Sequence, residues 1–178
     1  MNIEQYDKRK ADSIRALFTL AFSHSAGEEE GTLVGGLAYE LITETQDDDI
    51  FCFGITEGDN LAGSIIFSRL TFESDINAFI LSPVAIHPDH QRKGLGQKLI
   101  AHGIMQLKKS GVELVMTYGD PSYYAKVGFQ PVSVEVVHPP FELTHPEGWI
   151  GQSLLCEKVE PIPGKMICVN ALNNPIYW

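Results

Sequence analysis

The sequence predicts an α/β domain of the α+β kind, a mixed and mostly antiparallel sheet flanked by helices. Three observations carry that expectation. Two amphipathic helical stretches precede the β-rich part of the chain, a hairpin pattern covers Ile50 to Leu70, and Phe79 to Leu107 reads as strand, glycine-containing loop and helix. With 178 residues, 44% of them hydrophobic, the chain is long enough to bury a core as one domain, residues 1–178, without metals or disulfides.

Asn2 to Tyr6 reads as a short first strand. A helix follows from about Ala11 to Phe22, with Ile14, Leu17, Phe18, Ala21 and Phe22 recurring at steps of three and four. Ser23 to Gly31 reads as a loop, and Thr32 to Thr43 as a second helix with Leu33, Val34, Leu37, Leu41 and Ile42 inward. Ile50 to Glu57 and Leu61 to Leu70 form an antiparallel hairpin around Gly58-Asp59-Asn60. Phe79 to Ile86 is apolar and β-branched, as a mostly buried strand should be, and His87-Pro88-Asp89 stops it. Pro83 within it removes a ladder donor, so the strand is expected to bulge or splay there.

From Leu95 to Leu107 the apolar residues return to helical spacing, and Ser110-Gly111 closes that helix. Val112 to Tyr118 is the next strand. Asp120 is a natural N-cap for a short helix, with Pro121 in its first turn and Gly128 as its stop. Phe129 to Val137, Gly151 to Glu157 and Gly164 to Val169 read as further strands, with a proline-containing loop from His138 to Gly148. The apolar tail, Asn173 to Trp178, either tucks into the domain or makes a dimer contact, so both monomer and homodimer stay open.

The net charge of −10 argues against a nucleic-acid partner, because such binding draws on Lys and Arg against phosphates. No apolar run is long enough to span a bilayer, and the first residues contain no secretory core. Cys52, Cys156 and Cys168 sit in apolar or strand-like surroundings and are expected to be reduced, buried thiols. These observations lead to the expectation of a soluble, cytoplasmic protein with no membrane partner. His87 and His90 lack a nearby third ligand, and Asp47-Asp48-Asp49 reads as a solvated turn, so no metal site is expected.

The chemistry points to the join between the Phe79 strand and the Leu95 helix. Gln91-Arg92-Lys93-Gly94-Leu95-Gly96 supplies successive backbone N–H groups at a helix N-terminus, two glycines that admit a ligand to the main chain, and two cations. That combination suits a pyrophosphate. Neither the dinucleotide GxGxxG nor the GxxxxGK[ST] P-loop is present.

The segment instead resembles the [QR]-x-x-G-x-[GA] signature of the GNAT superfamily of acyl-coenzyme A N-acetyltransferases, matched by Gln91, Gly94 and Gly96. Downstream, Gly119-Asp120-Pro121-Ser122-Tyr123-Tyr124-Ala125-Lys126-Val127-Gly128-Phe129 resembles the family's Y-x-x-x-G-F helix, in the GDPxYYxxxGF form of the YhbS-like subgroup. The resemblance implies the GNAT-like fold, with the sheet splayed between its fourth and fifth strands. It also implies acetyl-coenzyme A as cofactor. Its pyrophosphate would lie on Gln91, Arg92, Lys93, Gly94, Leu95 and Gly96, and its pantetheine arm along the strand of Val84, Ala85 and Ile86. The backbones of Val84 and Ile86 would bond that arm, and an N–H near Val84 would face the thioester oxyanion.

By the same resemblance, Tyr124 takes the position of the general acid toward the departing thiolate. A phenol, with an ordinary pKa of about 10 against about 8.5 for a thiol, is protonated at neutral pH. Tyr123 is expected to pack or to contact the acceptor. Gly119-Asp120 stands where the family often has Asn.

The implied reaction is acetyl transfer to a primary amine by direct attack in a ternary complex, with a small-molecule amine as the first acceptor class. A protein lysine or N-terminal amine, or a cofactor-binding module without turnover, are the alternatives. The amine must lose a proton before attack. Ser82 is the candidate on the right strand, acting through water. Asp120, His87 and Glu40 are others, each with an ordinary role as helix cap, loop residue and exposed helix face. Glu28-Glu29-Glu30, beside the expected acceptor site, either favours the dipole of the second helix or holds a cationic substrate. Phe141, His145 and Trp149 are candidates for an acceptor pocket, or else pack beneath the proline-containing loop.

Overall fold

Strand β1 (Asn2–Tyr6) leads into two long helices, α1 (Ala11–Ala26) and α2 (Glu28–Glu44), in a computed structural model that describes residues 1–178. The expected loop from Ser23 to Gly31 reduces to Gly27 alone, at φ +100°. The reason lies in how the helices meet. A Cβ on Gly31 would fall 2.6 Å from the Thr19 carbonyl and 1.9 Å from the Ser23 hydroxyl oxygen. Gly31 is thus a packing residue inside α2 and does not break it. Glu28, Glu29 and Glu30 occupy the first turn of α2, where carboxylates oppose the positive end of the helix dipole.

β2 (Ile50–Glu57) and β3 (Asn60–Thr71) form the expected hairpin. Before it, Asp47–Asp49 makes a 3-10 turn in which Asp49 pairs with Arg69, so this acidic run closes the sheet edge. β4 (Ala78–Ile86) pairs antiparallel with β3, Ile65 opposite Val84 and Phe67 opposite Leu81. Ile66 alone therefore faces Ser82 and Pro83, which is the bulge expected at Pro83. The Ser82–Pro83 peptide is cis.

After α3 (Leu95–Lys109), β5 (Leu114–Tyr118) runs parallel to β4, but only from Ala78↔Leu114 to Leu81↔Thr117. Beyond Leu81 the two strands part. α4 (Pro121–Tyr124) starts at the mouth of this opening, with Asp120 as its cap and Gly128 in the left-handed region just beyond it. The sheet order is β1-β2-β3-β4-β5-β7-β6, where β6 is Gln130–Pro131 and β7 is Trp149–Ser153, and β8 (Ile167–Cys168) joins β3 at Leu70 and Thr71. Among these strands, all pairings except β4–β5 are antiparallel.

Helices cover both faces of the sheet, so the central strands are apolar on both sides. Ile66 and Ile80 pack with Phe18, Leu41 and Trp149 beneath α1 and α2, while Ile65, Phe67 and Phe79 pack with Leu99 and Leu107 of α3. Three strand expectations are corrected. Phe129 to Val137 is strand only at Gln130–Pro131, because Ser133 opens a turn whose carbonyl accepts from Val136 and Val137 N–H. The strand expected from Gly151 to Glu157 is Trp149–Ser153, since the Ser153 hydroxyl accepts from Leu155 and Cys156 N–H and turns the chain away. The strand expected from Gly164 to Val169 shortens to β8. Cys52 and Cys168 are buried as expected, but Cys156 is exposed. The tail folds back: the Trp178 indole N–H donates to Leu172 O and its ring stacks on Tyr118. No helix is long and apolar enough to cross a membrane.

Candidate active site

The parting of β4 from β5 leaves a cleft of about 760 Å³. On one side lies the outer half of β4. The His87 N–H donates to Ala62 O, and by the alternation of an antiparallel ladder Val84 and Ile86 turn their N–H groups away from β3 and toward the opening. The Ile86 carbonyl is already engaged, because Gln91 Nε2–H donates to it over 3.1 Å. This bond ties the loop to the end of the strand.

The loop itself curls through two left-handed residues, Arg92 at φ +60° and Gly94 at φ +76°. Gly94 offers α3 no side-chain cap, and the first N–H to find a helical partner is that of Lys98, which donates to Gly94 O. The Leu95, Gly96 and Gln97 N–H groups therefore lie at the positive end of the helix dipole without a capping side chain, an arrangement suited to an anion. Arg92 and Lys126 bring cationic side chains to the same cleft.

Tyr124 stands at the apex of the opening. Burial pushes its phenol up to about 12. On its other side is a second cavity of about 350 Å³, walled by α1, α2, the β4 bulge and the C-terminal residues. Val84, Asp120 and Tyr124 border both cavities. The Asp120 carboxyl lies below its ordinary value, first because Oδ1 accepts from the Ser122 hydroxyl (2.7 Å) and next because it accepts from the Ser122 N–H (2.8 Å).

Residues 27–131, which hold both the loop and α4, match the family model of the acetyltransferase (GNAT) domain. The chain belongs to the GNAT family. It is 31% identical over 170 residues to the uncharacterized N-acetyltransferase YjhQ of Escherichia coli K12, covering 92% of this chain and 90% of that protein. The E. coli K12 uncharacterized N-acetyltransferase YhbS is 25% identical over 95 residues, 51% of this chain and 57% of YhbS. Among solved structures, E. coli YhbS in complex with CoA superposes with a TM-score of 0.83 at 20% identity, over 98% of this chain and 92% of that one. A GNAT acetyltransferase of Brucella melitensis in complex with acetyl-CoA gives 0.70 at 22% identity, over 96% of each chain. At such identities these two matches bear on the fold.

In this GNAT domain the expected cofactor residues Val84, Ile86, Gln91, Arg92, Gly94, Leu95, Gly96 and Tyr124 all border the larger cleft. Ala85 and Lys93 do not. Ala85 points its side chain into the core, and Lys93 Nζ–H donates back to the Asp89 carbonyl (2.9 Å). Ser82 borders the smaller cavity. Tyr123 borders the larger cleft and not the smaller cavity, and it packs close to α3, its hydroxyl only 2.0 Å from where a Cβ on Gly96 would be. Trp149 is core, its indole N–H bonded to Val137 O, and Phe141 packs against the same core. His145 is exposed beside Glu147.

Sequence reasoning passed over Lys126 and Gln97, and took His90 only as half of a metal pair. Lys126 had a visible signal, a cation inside the Tyr124 to Gly128 motif. His87 and His90 face each other edge-on at 5.7 Å, and His87 Nδ1 accepts from the Asp89 N–H, so their packing is that of a turn.

Proposed function

We propose that this GNAT acetyltransferase moves an acetyl group from acetyl-coenzyme A to a small-molecule primary amine, with both bound at once. The observation that carries the reading is that Tyr124, Val84 and Asp120 border both cavities, so a group held in the larger cleft and an amine in the smaller one would meet at Tyr124. The larger cleft fits the cofactor in its chemistry: N–H groups of Leu95, Gly96 and Gln97 with Arg92 and Lys126 for a diphosphate, and strand N–H groups of Val84 and Ile86 for amide carbonyls. At Ile86 only the N–H is free for this, since Gln91 holds the carbonyl. When bound, the cofactor supplies an activated thioester.

The rest falls to the chain. Pro83 has no N–H, so Val84 supplies the first donor past the bulge and is aimed where a thioester oxyanion would form. Tyr124 keeps its proton across the physiological range and can deliver it to sulfur. Asp120, which caps α4 and is held ionised, is a weak base. The proton of the incoming ammonium would leave through water beside Ser82. The smaller cavity, near the lower end of the range for small-ligand sites, favours a small amine over a folded protein surface.

The test is release of free coenzyme A from acetyl-coenzyme A in the presence of an amine panel, with binding followed by thermal shift. At ~100 times its dissociation constant a ligand adds about 2.7 kcal/mol of stability. Tyr124→Phe should bind acetyl-coenzyme A and lose most thiol release. Binding without release by the unchanged protein with any amine would assign the module reading instead, and an absent thermal shift would remove the cofactor.

A further inference from the structure

The smaller cavity has a composition of its own. Ten of its 16 lining residues are hydrophobic, among them Phe22 of α1, Leu33 and Leu37 of α2, and Leu81 of β4. Its charged groups are two carboxylates, Glu30 and Asp120. Asp120 already accepts two hydrogen bonds from Ser122 and caps α4, whereas no hydrogen bond or ion pair engages Glu30. Of the three acidic residues that begin α2, Glu28 and Glu29 are exposed and Glu30 alone is partly buried and turned to the cavity.

The last wall is the C-terminal segment, through Ile176 and Tyr177. That segment is fixed from outside the cavity. Trp178 is buried between Tyr118, Trp149 and Phe141, the Thr144 hydroxyl donates to Trp178 O, and Asn174 Oδ1 accepts from the Ile176 N–H. Ile176, 60% exposed, thus forms a lip held in place by its neighbours. It lies outside residues 27–131, the span shared with the family at large.

We infer that this cavity selects a primary amine carried on an apolar or aromatic body, its ammonium held by Glu30 and its body bounded by the C-terminal Ile176 and Tyr177. The inference rests on the acetyltransferase reading only in naming this ligand as the acceptor. A cation and an apolar body together match the Glu30 carboxylate, which makes no hydrogen bond, beside the side chains of Phe22, Leu33, Leu37 and Ile176. A polyamine would have only Asp120, whose Oδ1 is already bonded to Ser122, for its second charge, and a polar peptide would leave its amides against Leu33, Leu37 and Ile176 without partners.

Calorimetric titration of the protein saturated with coenzyme A tests this, using 2-phenylethylamine, 3-methylbutylamine, the neutral 2-phenylethanol, putrescine and a short lysine peptide as probes. The two apolar amines should bind at least about tenfold more tightly than putrescine, the peptide or the alcohol. Glu30→Gln should weaken the amines by about tenfold or more and leave 2-phenylethanol unchanged, which a merely structural role for Glu30 would not do. Ile176→Lys, at a position 60% exposed, should weaken the amines similarly by adding a cation to the wall of the cavity that Glu30 also lines. Putrescine or peptide binding as tightly as the apolar amines, or amine binding indifferent to Glu30→Gln, would overturn the inference. The acetyltransferase reading is judged separately by thiol release: release driven best by polyamines overturns this inference and keeps that reading. The expected binding pattern without release from any amine keeps the cavity assignment and overturns the reading.

Discussion

The Thr117 hydroxyl donates to the Leu81 carbonyl over 2.7 Å, at the last paired position before β4 and β5 separate. This side-chain bond sits where a further ladder bond would otherwise continue the parallel pairing, and it fixes the point at which the sheet opens. Thr117 is buried, so Thr117→Val leaves the Leu81 carbonyl without that donor and should cost about 1–3 kcal/mol in denaturant unfolding.

Tyr124 and Cys52 make the alkaline side of the stability curve steep. Burial raises both in the folded protein to about 12, from ordinary values of 10.0 and 9.0. Groups with raised folded values stabilise the fold fully below their unfolded pKa, and that contribution is lost as pH rises through the folded one. Stability should therefore fall from about pH 9 to about pH 12. Cys52→Ala should flatten the lower part of this fall, because the thiol no longer ionises on unfolding. Urea midpoints measured at successive pH values in the two proteins check it. Transfer activity should show no basic limb from Tyr124 below about pH 10.

Gly96 is held to glycine by Tyr123 as well as by any ligand. A Cβ there would meet the Tyr123 hydroxyl oxygen at 2.0 Å. Gly96→Ala should weaken acetyl-coenzyme A binding by displacing that ring, and Gly96→Ala with Tyr123→Phe should recover much of the loss. A double-mutant cycle on binding should give a coupling of about 0.5–3 kcal/mol; additive effects would show that the ring is not the obstacle.

Arg92 occupies the left-handed region without being glycine, a conformation costing of order 1–3 kcal/mol. Arg92→Gly should leave thermal stability unchanged or slightly raised, since relief of strain offsets the added freedom of the unfolded chain. Binding of acetyl-coenzyme A should weaken, and its dependence on salt should diminish, because one exposed cation has left the cleft.

What the sequence made legible is local. The loop from Gln91 to Gly96 and the cap of α4 at Asp120 are built by neighbours in the chain from glycine conformations, an Asx cap and a helix terminus, so their residue types announce them. Pro83 gave the bulge for the same reason. The smaller cavity draws Phe22, Glu30, Ser82, Tyr118 and Ile176 from five separate parts of the chain, and no spacing rule joins them. The valines at 132, 134 and 136 alternate as a strand would, but Ser133 supplies a turn whose hydrogen bonds outcompete a ladder with no free neighbour. Gly31 misled for a related reason: a glycine that lets two helices touch is written the same way as one that ends a helix.

The single-residue join at Gly27 bears on how this enzyme can diversify. Phe22 and Glu30 lie on helices that meet without a loop, and Gly31 against Ser23 leaves no slack between them. Insertions at that corner would force the helices apart, so the packing fixes the length of the join. With the acceptor in the smaller cavity, as proposed, new preferences would come instead from single side-chain replacements along α1 and α2 and at the C-terminal lip, and a library aimed at altered selectivity should randomise those positions at fixed chain length.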